Sequence, residues 1–125
     1  MIQILLVALG GAIGSMARYL TGQVMLRLFG PGFPWGTLTV NLVGSLAIGI
    51  VTELIARRFD ASAELRLLLV TGFLGGFTTF SAFSLDVAIL VERGTLLPAV
   101  LYVAASMLVS LFAVFAGLAL MRTLL

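Results

Sequence analysis

Residues 72–84 of the chain read Gly72-Phe73-Leu74-Gly75-Gly76-Phe77-Thr78-Thr79-Phe80-Ser81-Ala82-Phe83-Ser84, within an apolar segment long enough to cross a membrane. Its glycines are poor material for a plain lipid-facing helix, because each costs about 1 kcal/mol relative to alanine in a helix interior. In hydrocarbon, irregular backbone is tolerated only inside protein or beside a water-filled cavity. The stretch therefore predicts either a broken membrane helix, which is a common way to build ion sites, or glycines that only allow close helix packing.

The composition is that of an integral membrane protein. Of the 125 residues, 62% are hydrophobic and only 10% are charged, and the mean hydropathy is +1.26. A soluble domain is about half apolar and about a quarter charged. The chain has no Cys, His or Lys, which excludes disulfides, Cys/His zinc sites and a Ser-His-Asp triad. We expect no enzyme activity, and the net charge of +2 is too small to predict nucleic-acid binding.

Charged residues divide the chain into four apolar segments. A membrane-spanning helix needs about 20 mainly apolar residues. We predict four helical spans at roughly 2–25, 36–56, 65–90 and 97–123, with the third helix broken at its Gly-rich segment. Glycines and prolines at 30–34 and polar residues at 57–63 and 92–97 mark the turns. The sequence thus predicts one all-α domain over residues 1–125, surrounded by the lipid of the cell membrane.

The arginines give only a weak signal for orientation. One side of the membrane carries both termini and four arginines, and the other side has two or three. The first group is Arg57, Arg58, Arg66 and Arg122, and the second is Arg27 and Arg93, joined by Arg18 if it reaches the interface. Cytoplasmic loops are normally richer in Arg and Lys. This small difference is compatible with one fixed orientation or with dual topology, in which both orientations insert and pair.

Asn41 is the only asparagine of the chain and lies inside the second apolar span. An unpaired amide is expensive in lipid. Thr37 lies four residues earlier and therefore shares its helix face. The two residues either make a hydrogen bond between helices, typically worth about 0.6 kcal/mol, or contribute to a polar pathway.

The fourth span carries a polar stripe. Tyr102, Ser106 and Ser110 recur every four residues on an otherwise apolar helix. Single serines in membrane helices usually bond back to their own backbone, but three polar residues in register need a further explanation. The stripe either packs against another helix or lines a wet track.

Phe80 and Phe83 lie three residues apart, directly after the glycines and threonines. A phenylalanine ring has an electropositive edge, so two such rings can accommodate a small anion without a full positive charge that would trap it. As a bare pattern, two phenylalanines at helical spacing are usually core packing. Their position after the predicted break favours a role at an ion site.

Together, these motifs resemble the Fluc (CrcB) family of fluoride channels over nearly the whole chain. The motifs are the Gly-rich start of the first span, which ends in Arg18-Tyr19, the sequence Trp35-Gly36-Thr37-Leu38-Thr39-Val40-Asn41, and the stretch Thr71–Ser84. Differences from the usual family pattern are modest. They are Leu74 where Cys is common, Phe77 where Leu is common, Ala82 where Thr is common, and Asp86 in place of a longer Glu.

The resemblance implies an antiparallel, dual-topology homodimer with two pores. In the family, backbone carbonyls at the crossing third spans hold a structural sodium ion, and the matching residues are Gly75 and Thr78. The matching fluoride pathway contains Phe80, Phe83 and Asn41, the last as a donor to fluoride, and the track of Tyr102, Ser106 and Ser110. We place Thr37 and Ser81 on the same pathway. Any role of the hydroxyl that Ala82 lacks must be absent or filled by Ser81 or Ser84.

The leading hypothesis is therefore a passive fluoride channel that lowers cytoplasmic fluoride in a bacterial or archaeal cell. The alternative is a small multidrug/proton antiporter, because such proteins share this length, four spans and dual topology. They depend on a carboxylate in the first span, and residues 2–17 contain none. A third hypothesis, a non-transporting assembly partner, explains the glycines but not the polar stripe.

Overall fold

The computed structural model describes residues 1–125, which form helices and turns and no strand. The first two spans are α1 (Ile2–Phe29) and α2 (Trp35–Arg58), and the fourth is α6 (Leu96–Leu124). The third span consists of α3 (Ala63–Leu65), a π-helical segment π1 (Arg66–Leu74), α4 (Gly75–Phe77) and α5 (Ser81–Glu92). Four spans are long and apolar enough to cross a membrane. The prediction of an all-α protein with four transmembrane helices is confirmed.

The helices continue slightly beyond the apolar segments. The sequence predicts an end of the first span near residue 25, whereas α1 continues to Phe29 with Arg27 in its last turn. A cation there complements the partial negative charge of the helix C-terminus. The helix stops at Gly30, whose φ of 77° is a left-handed conformation that glycine adopts without strain. The second span likewise has cations in its last turn, Arg57 and Arg58 of α2, but it is followed by Phe59 and not by a glycine.

The third span is not a continuous α-helix. Its π1 segment has the wider π-helical winding, which is rare and occurs frequently at functional sites. Helical backbone continues through Gly72, Gly75 and Gly76 and ends at Phe77. Thr78 is extended, with φ −91° and ψ 162°, and the helix resumes at Ser81. The interruption thus comprises residues 78–80 and directly follows the glycines.

Glycines bring the backbone of α1 against the backbone of the third span. A Cβ atom at Gly10 would collide with the Leu68 carbonyl oxygen, and one at Gly14 would collide with the Phe73 carbonyl oxygen. A Cβ atom at Gly76 would lie only 2.6 Å from the carbonyl oxygen of α1 residue Gly11. Any side chain at these positions would push the two helices apart. The glycines of both spans therefore serve close helix packing.

The remaining spans pack through one glycine contact and one apolar core. A Cβ atom at Gly49 of α2 or Gly117 of α6 would collide with a carbonyl oxygen of the opposite helix. The largest buried cluster joins α2, α5 and α6. It consists of Leu38, Phe83, Leu90, Ala99 and Tyr102. Only 15 of the 125 residues are buried in the single chain, so most large apolar side chains lie at its surface.

Candidate functional site

A cavity of about 380 Å³ lies beside the interruption, where α2, the third span and α6 meet. Most of the residues that the sequence predicts for the fluoride and sodium sites line it, and none of the lining residues is charged. The predicted residues in the lining are Asn41, Gly75, Thr78, Phe80, Phe83, Ser106 and Ser110. Ser45, Thr79 and Met107 complete the lining. The fold therefore assembles one polar but uncharged cavity from residues of three spans.

Asn41 binds the backbone of the interruption at a single residue. Its Nδ2 donates to the Thr79 carbonyl oxygen at 2.9 Å, and its Oδ1 accepts the Thr79 N–H at 2.9 Å. A primary amide has two N–H donors, so one Nδ2 hydrogen remains outside these bonds. The sequence predicts Asn41 either in a hydrogen bond between helices or on a polar pathway, and the family resemblance implies a donor to fluoride. In the structure it makes hydrogen bonds to another span, at two peptide groups that the helix interruption frees.

Other side chains satisfy the backbone on both sides of the interruption. On the α5 side, Thr79 Oγ1 accepts the N–H of Ala82 at 3.1 Å. On the α4 side, Arg18 of α1 donates from Nε to the Gly76 carbonyl oxygen at 3.0 Å. That carbonyl lies at the C-terminal end of a helical segment, where a cation is favourable. Arg18 thus supports the interruption from a neighbouring span, in addition to any position at the membrane surface.

The carbonyl groups of Gly75 and Thr78 accept no hydrogen bond from the protein. The Phe77 carbonyl between them likewise accepts none, whereas those of Leu74, Gly76 and Thr79 each accept one. Unpaired carbonyl oxygens suit hard cations, so Gly75 and Thr78 fit the structural sodium ion that the family resemblance implies. The chain contains no group of His, Cys, Asp or Glu side chains that could hold a metal ion.

Ser106 and Ser110 have buried hydroxyl groups that bond to no protein atom. Serines in membrane helices usually donate to a carbonyl one turn earlier, as Ser84 does to Phe80 at 3.0 Å. An unsatisfied buried hydroxyl costs about 1–3 kcal/mol. Because both groups line the same cavity, their hydrogens are available to a ligand there.

Phe80 and Phe83 contact each other at the edge of the cavity, with ring centroids 5.6 Å apart and ring planes inclined by 45°. Their environments differ strongly. Phe83 is 7% exposed and belongs to the buried core, whereas Phe80 is 70% exposed in the single chain. The Phe83 ring is therefore held by the subunit itself, and the Phe80 ring is free to be covered by lipid or by another subunit.

Tyr102 and Thr37 lie outside this cavity. The Tyr102 side chain is fully buried, and its hydroxyl donates to Asp86 Oδ2 at 3.0 Å. Thr37 lines a wider cavity of about 570 Å³ between α1, α2 and α5, together with Arg18, Asp86 and Arg93. Thr79 lines both cavities. The interruption thus separates a wide cavity that contains charged residues from the smaller uncharged one.

Sequence analysis placed Ser81 on the pathway and missed several residues that the structure places at the site. Ser81 is exposed, lines neither cavity, and lies with its Oγ 3.4 Å from Thr79 Oγ1. Ser45 lies four residues after Asn41 and lines the uncharged cavity, so helical spacing could have identified it. The role of Thr79 depends on a contact with Asn41 across 38 positions of sequence, which no local pattern predicts.

Comparison with known proteins identifies the family of the chain. Residues 5–118 match the model of the family described as CrcB-like protein, Camphor Resistance (CrcB). A protein of Rhizobium etli named fluoride-specific ion channel FluC is 65% identical over 124 residues, which cover 99% of each chain. Proteins of the same name from Agrobacterium fabrum and Rhizobium meliloti are 64% and 55% identical, over 99% and 97% of each chain.

Proposed function

The chain belongs to the CrcB family, and we propose that it is a fluoride-specific ion channel of the cell membrane, and not an enzyme. It lets fluoride leave the cell passively, down its electrochemical gradient, and so lowers cytoplasmic fluoride. Its multi-pass character agrees with this role, since all four spans are long and apolar enough to cross a membrane.

The observation that carries the proposal is the chemistry of the uncharged cavity. Ser106 and Ser110 offer hydroxyl hydrogens that no protein atom uses, and Phe80 and Phe83 lie at the same cavity. A fluoride ion that leaves water needs new donors, and neutral hydroxyls and ring edges supply them. Conduction also requires that binding be weak enough for the ion to leave. Donors without a net charge meet both requirements.

The alternative of a small multidrug/proton antiporter lacks support. Residues 2–17 of α1 contain no carboxylate that could bind a proton and a cation in turn. Asp86 of α5 accepts a hydrogen bond from the Tyr102 hydroxyl at 3.0 Å and lines the wider cavity with Arg18 and Arg93. This surrounding suits an anion pathway better than a site for an organic cation.

The functional unit is proposed to be an antiparallel homodimer of dual topology. The exposed faces of Gly75 and Phe80 support it, because both residues line the uncharged cavity and both are exposed in the single chain. A second copy, placed head to tail, would close this cavity and bring two interruptions together. The nearly balanced arginines would allow either orientation to insert.

A structural sodium ion at the centre of that dimer is the proposed cofactor. Its ligands would be the carbonyl oxygens of Gly75 and Thr78, which accept no hydrogen bond from the protein. The bound ion would neutralise their partial negative charges where two subunits meet. We expect the detergent-solubilised dimer to lose thermal stability when sodium is exchanged for N-methylglucamine, since a ligand that binds only the folded state stabilises it. Equal stability in both cations would count against the ion.

Fluoride and chloride efflux from liposomes tests the channel function. Purified protein should release fluoride rapidly under an imposed voltage at symmetrical pH and should release little chloride. A proton-coupled exchanger would instead respond to a pH gradient. Proton-driven export of an organic cation, without fluoride release, would contradict the channel.

Cysteine labelling tests the dual topology, because the chain contains no native cysteine. Single cysteines in the 59–62 and 93–95 turns should each react with a membrane-impermeant reagent from both sides of the membrane in a cell population. Labelling of each turn from only one side would exclude dual topology while leaving the channel function intact.

A further inference from the structure

Six aromatic rings form a continuous series from the α1–α2 connection to the interruption. Centroids of neighbouring rings lie between 4.8 and 5.6 Å apart, which is the range of favourable aromatic pairs. In spatial order, the series is Phe29, Trp35, Phe33, Tyr102, Phe83 and Phe80. It therefore links a turn outside the helices to both phenylalanines of the candidate ion pathway.

Tyr102 is the central ring and is held on three sides. Its ring makes an edge-to-face contact with Phe33, with centroids 5.4 Å apart and planes at 82°. It contacts Phe83 at 5.1 Å and 49°, and its hydroxyl donates to Asp86 at 3.0 Å. The side chain has no exposed surface. Its ring can therefore shift away from Phe83 only if Phe33 or Asp86 moves as well.

Phe33 is fixed in the connection between α1 and α2. Its carbonyl oxygen accepts the Trp35 N–H at 2.8 Å, and the residue precedes Pro34, which restricts its backbone to extended conformations. Its ring lies 4.8 Å from the Trp35 ring on one side and packs against the buried core on the other. Phe33 thus forms a rigid outer support for Tyr102.

We propose that Phe33 is a positioning residue for anion selectivity, which acts through Tyr102 on the Phe83 ring. Phe33 lines the wider cavity and not the uncharged one, so it does not touch an ion that lies beside Phe83. It instead limits the directions in which Phe83 can present its electropositive edge. Fluoride gains more than chloride from a fixed ring edge, because the smaller anion approaches the positive charge more closely. This inference rests on the proposed function as a fluoride channel.

The test compares three variants in the fluoride and chloride efflux assay. Phe33→Leu should lower the fluoride/chloride permeability ratio about fivefold, the loss expected when one oriented aromatic pair is removed. Phe33→Tyr keeps the ring and should keep the ratio. Phe73→Leu is the matched control, because Phe73 is partly buried and pairs with Phe77 at 6.0 Å, outside the series. Size-exclusion chromatography and far-UV circular dichroism check that each variant is folded, because Trp35 fluorescence would respond directly to a change at the neighbouring Phe33 ring.

A double-mutant cycle separates positioning from a general structural effect. In a Phe83→Ile background, Phe33→Leu should cause no further change in the permeability ratio. An unchanged ratio in folded Phe33→Leu, an equal fall in Phe73→Leu, or full additivity with Phe83→Ile would overturn the inference. If Phe33→Leu does not fold, Phe33→Met takes its place, and failure of both to fold would assign Phe33 to folding and also overturn it. Wild-type protein that conducts no fluoride would instead contradict the proposed function.

Discussion

The two halves of the third span are held in place by opposite means. The first half, residues 63–77, lies backbone to backbone on α1, where Gly10, Gly14 and Gly76 leave no space for a Cβ atom. The second half, α5, is held by large side chains, since Phe83 and Leu90 are buried in the core beside α6. The first half requires glycines where it contacts α1, and the second half requires large side chains where it contacts the core.

The interruption at residues 78–80 lies between these two halves, and Asn41 satisfies the Thr79 peptide groups that it frees. The non-helical segment allows the two halves to pack independently, one on α1 and the other in the core. The carbonyls of the first half and the rings of the second half consequently meet at one cavity.

The largest effect should come from adding a side chain to the glycine contact. Gly14→Val would force a Cβ atom against the Phe73 carbonyl oxygen, which is backbone and cannot rotate away. Overpacking costs about 1–3 kcal/mol and occasionally more, so we expect little folded dimer by size-exclusion chromatography. Gly22→Ala is the control on the same helix, because a Cβ atom there meets nothing within 4 Å. Normal assembly of Gly14→Val would refute the backbone contact.

Asn41→Asp should cause a nearly complete loss of fluoride flux, because it alters the hydrogen bonds between α2 and Thr79 of the interruption. One carboxylate oxygen can still accept the Thr79 N–H, but the other would face the Thr79 carbonyl oxygen that Nδ2 now bonds. The lost bond leaves a carbonyl unpaired at about 1–3 kcal/mol, and the added charge repels an anion. Liposome efflux measures the result. Gln3→Glu, a change of the same chemistry at an exposed α1 residue that lines neither cavity, is expected to retain much of the flux.

Phe80→Ile and Phe83→Ile should both reduce fluoride flux strongly, because isoleucine lacks the electropositive ring edge. Their effects on stability should differ. Phe83 is 7% exposed and Phe80 is 70% exposed in the single chain, so only Phe83→Ile leaves a void in the subunit core, at a cost of about 1–2 kcal/mol. Thermal unfolding of the two purified variants measures this contrast. Near-normal flux in both folded variants would show that the rings only pack.

The smallest effect should come from Ser106→Ala and Ser110→Ala. Neither hydroxyl bonds to a protein atom, so its removal should not lower the free energy of unfolding and should raise it by up to about 1–3 kcal/mol, the cost of an unsatisfied buried hydroxyl. Fluoride flux should fall roughly fivefold for each variant, which corresponds to a net hydrogen bond of about 1 kcal/mol. Ser84→Ala is the comparison variant, since that hydroxyl bonds to the Phe80 carbonyl. Wild-type flux in both variants would remove the serines from the pathway.

Local patterns predicted the spans well and the interruption less completely. Hydropathy identified four spans because a bilayer demands long apolar segments. The glycines marked the third span as unusual, yet they remain helical, and the extended backbone begins at Thr78. Glycine disfavours a helix only when nothing compensates, and here α1 packs directly on the exposed backbone. The sequence identifies Asn41 as a candidate site residue because an amide is costly in an apolar span. It does not identify the partner, Thr79, which lies 38 positions away.

The sequence by itself determined the membrane setting, the four helices and the family. Each follows from composition, local spacing or motif, which need no knowledge of distant contacts. Only the tertiary structure decided which residues meet. It joined Asn41 to Thr79, Arg18 to Gly76 and Tyr102 to Asp86, and it left the Gly75 and Thr78 carbonyls without protein donors. Such pairings depend on how helices far apart in sequence pack together, and packing is decided by the shapes of whole surfaces.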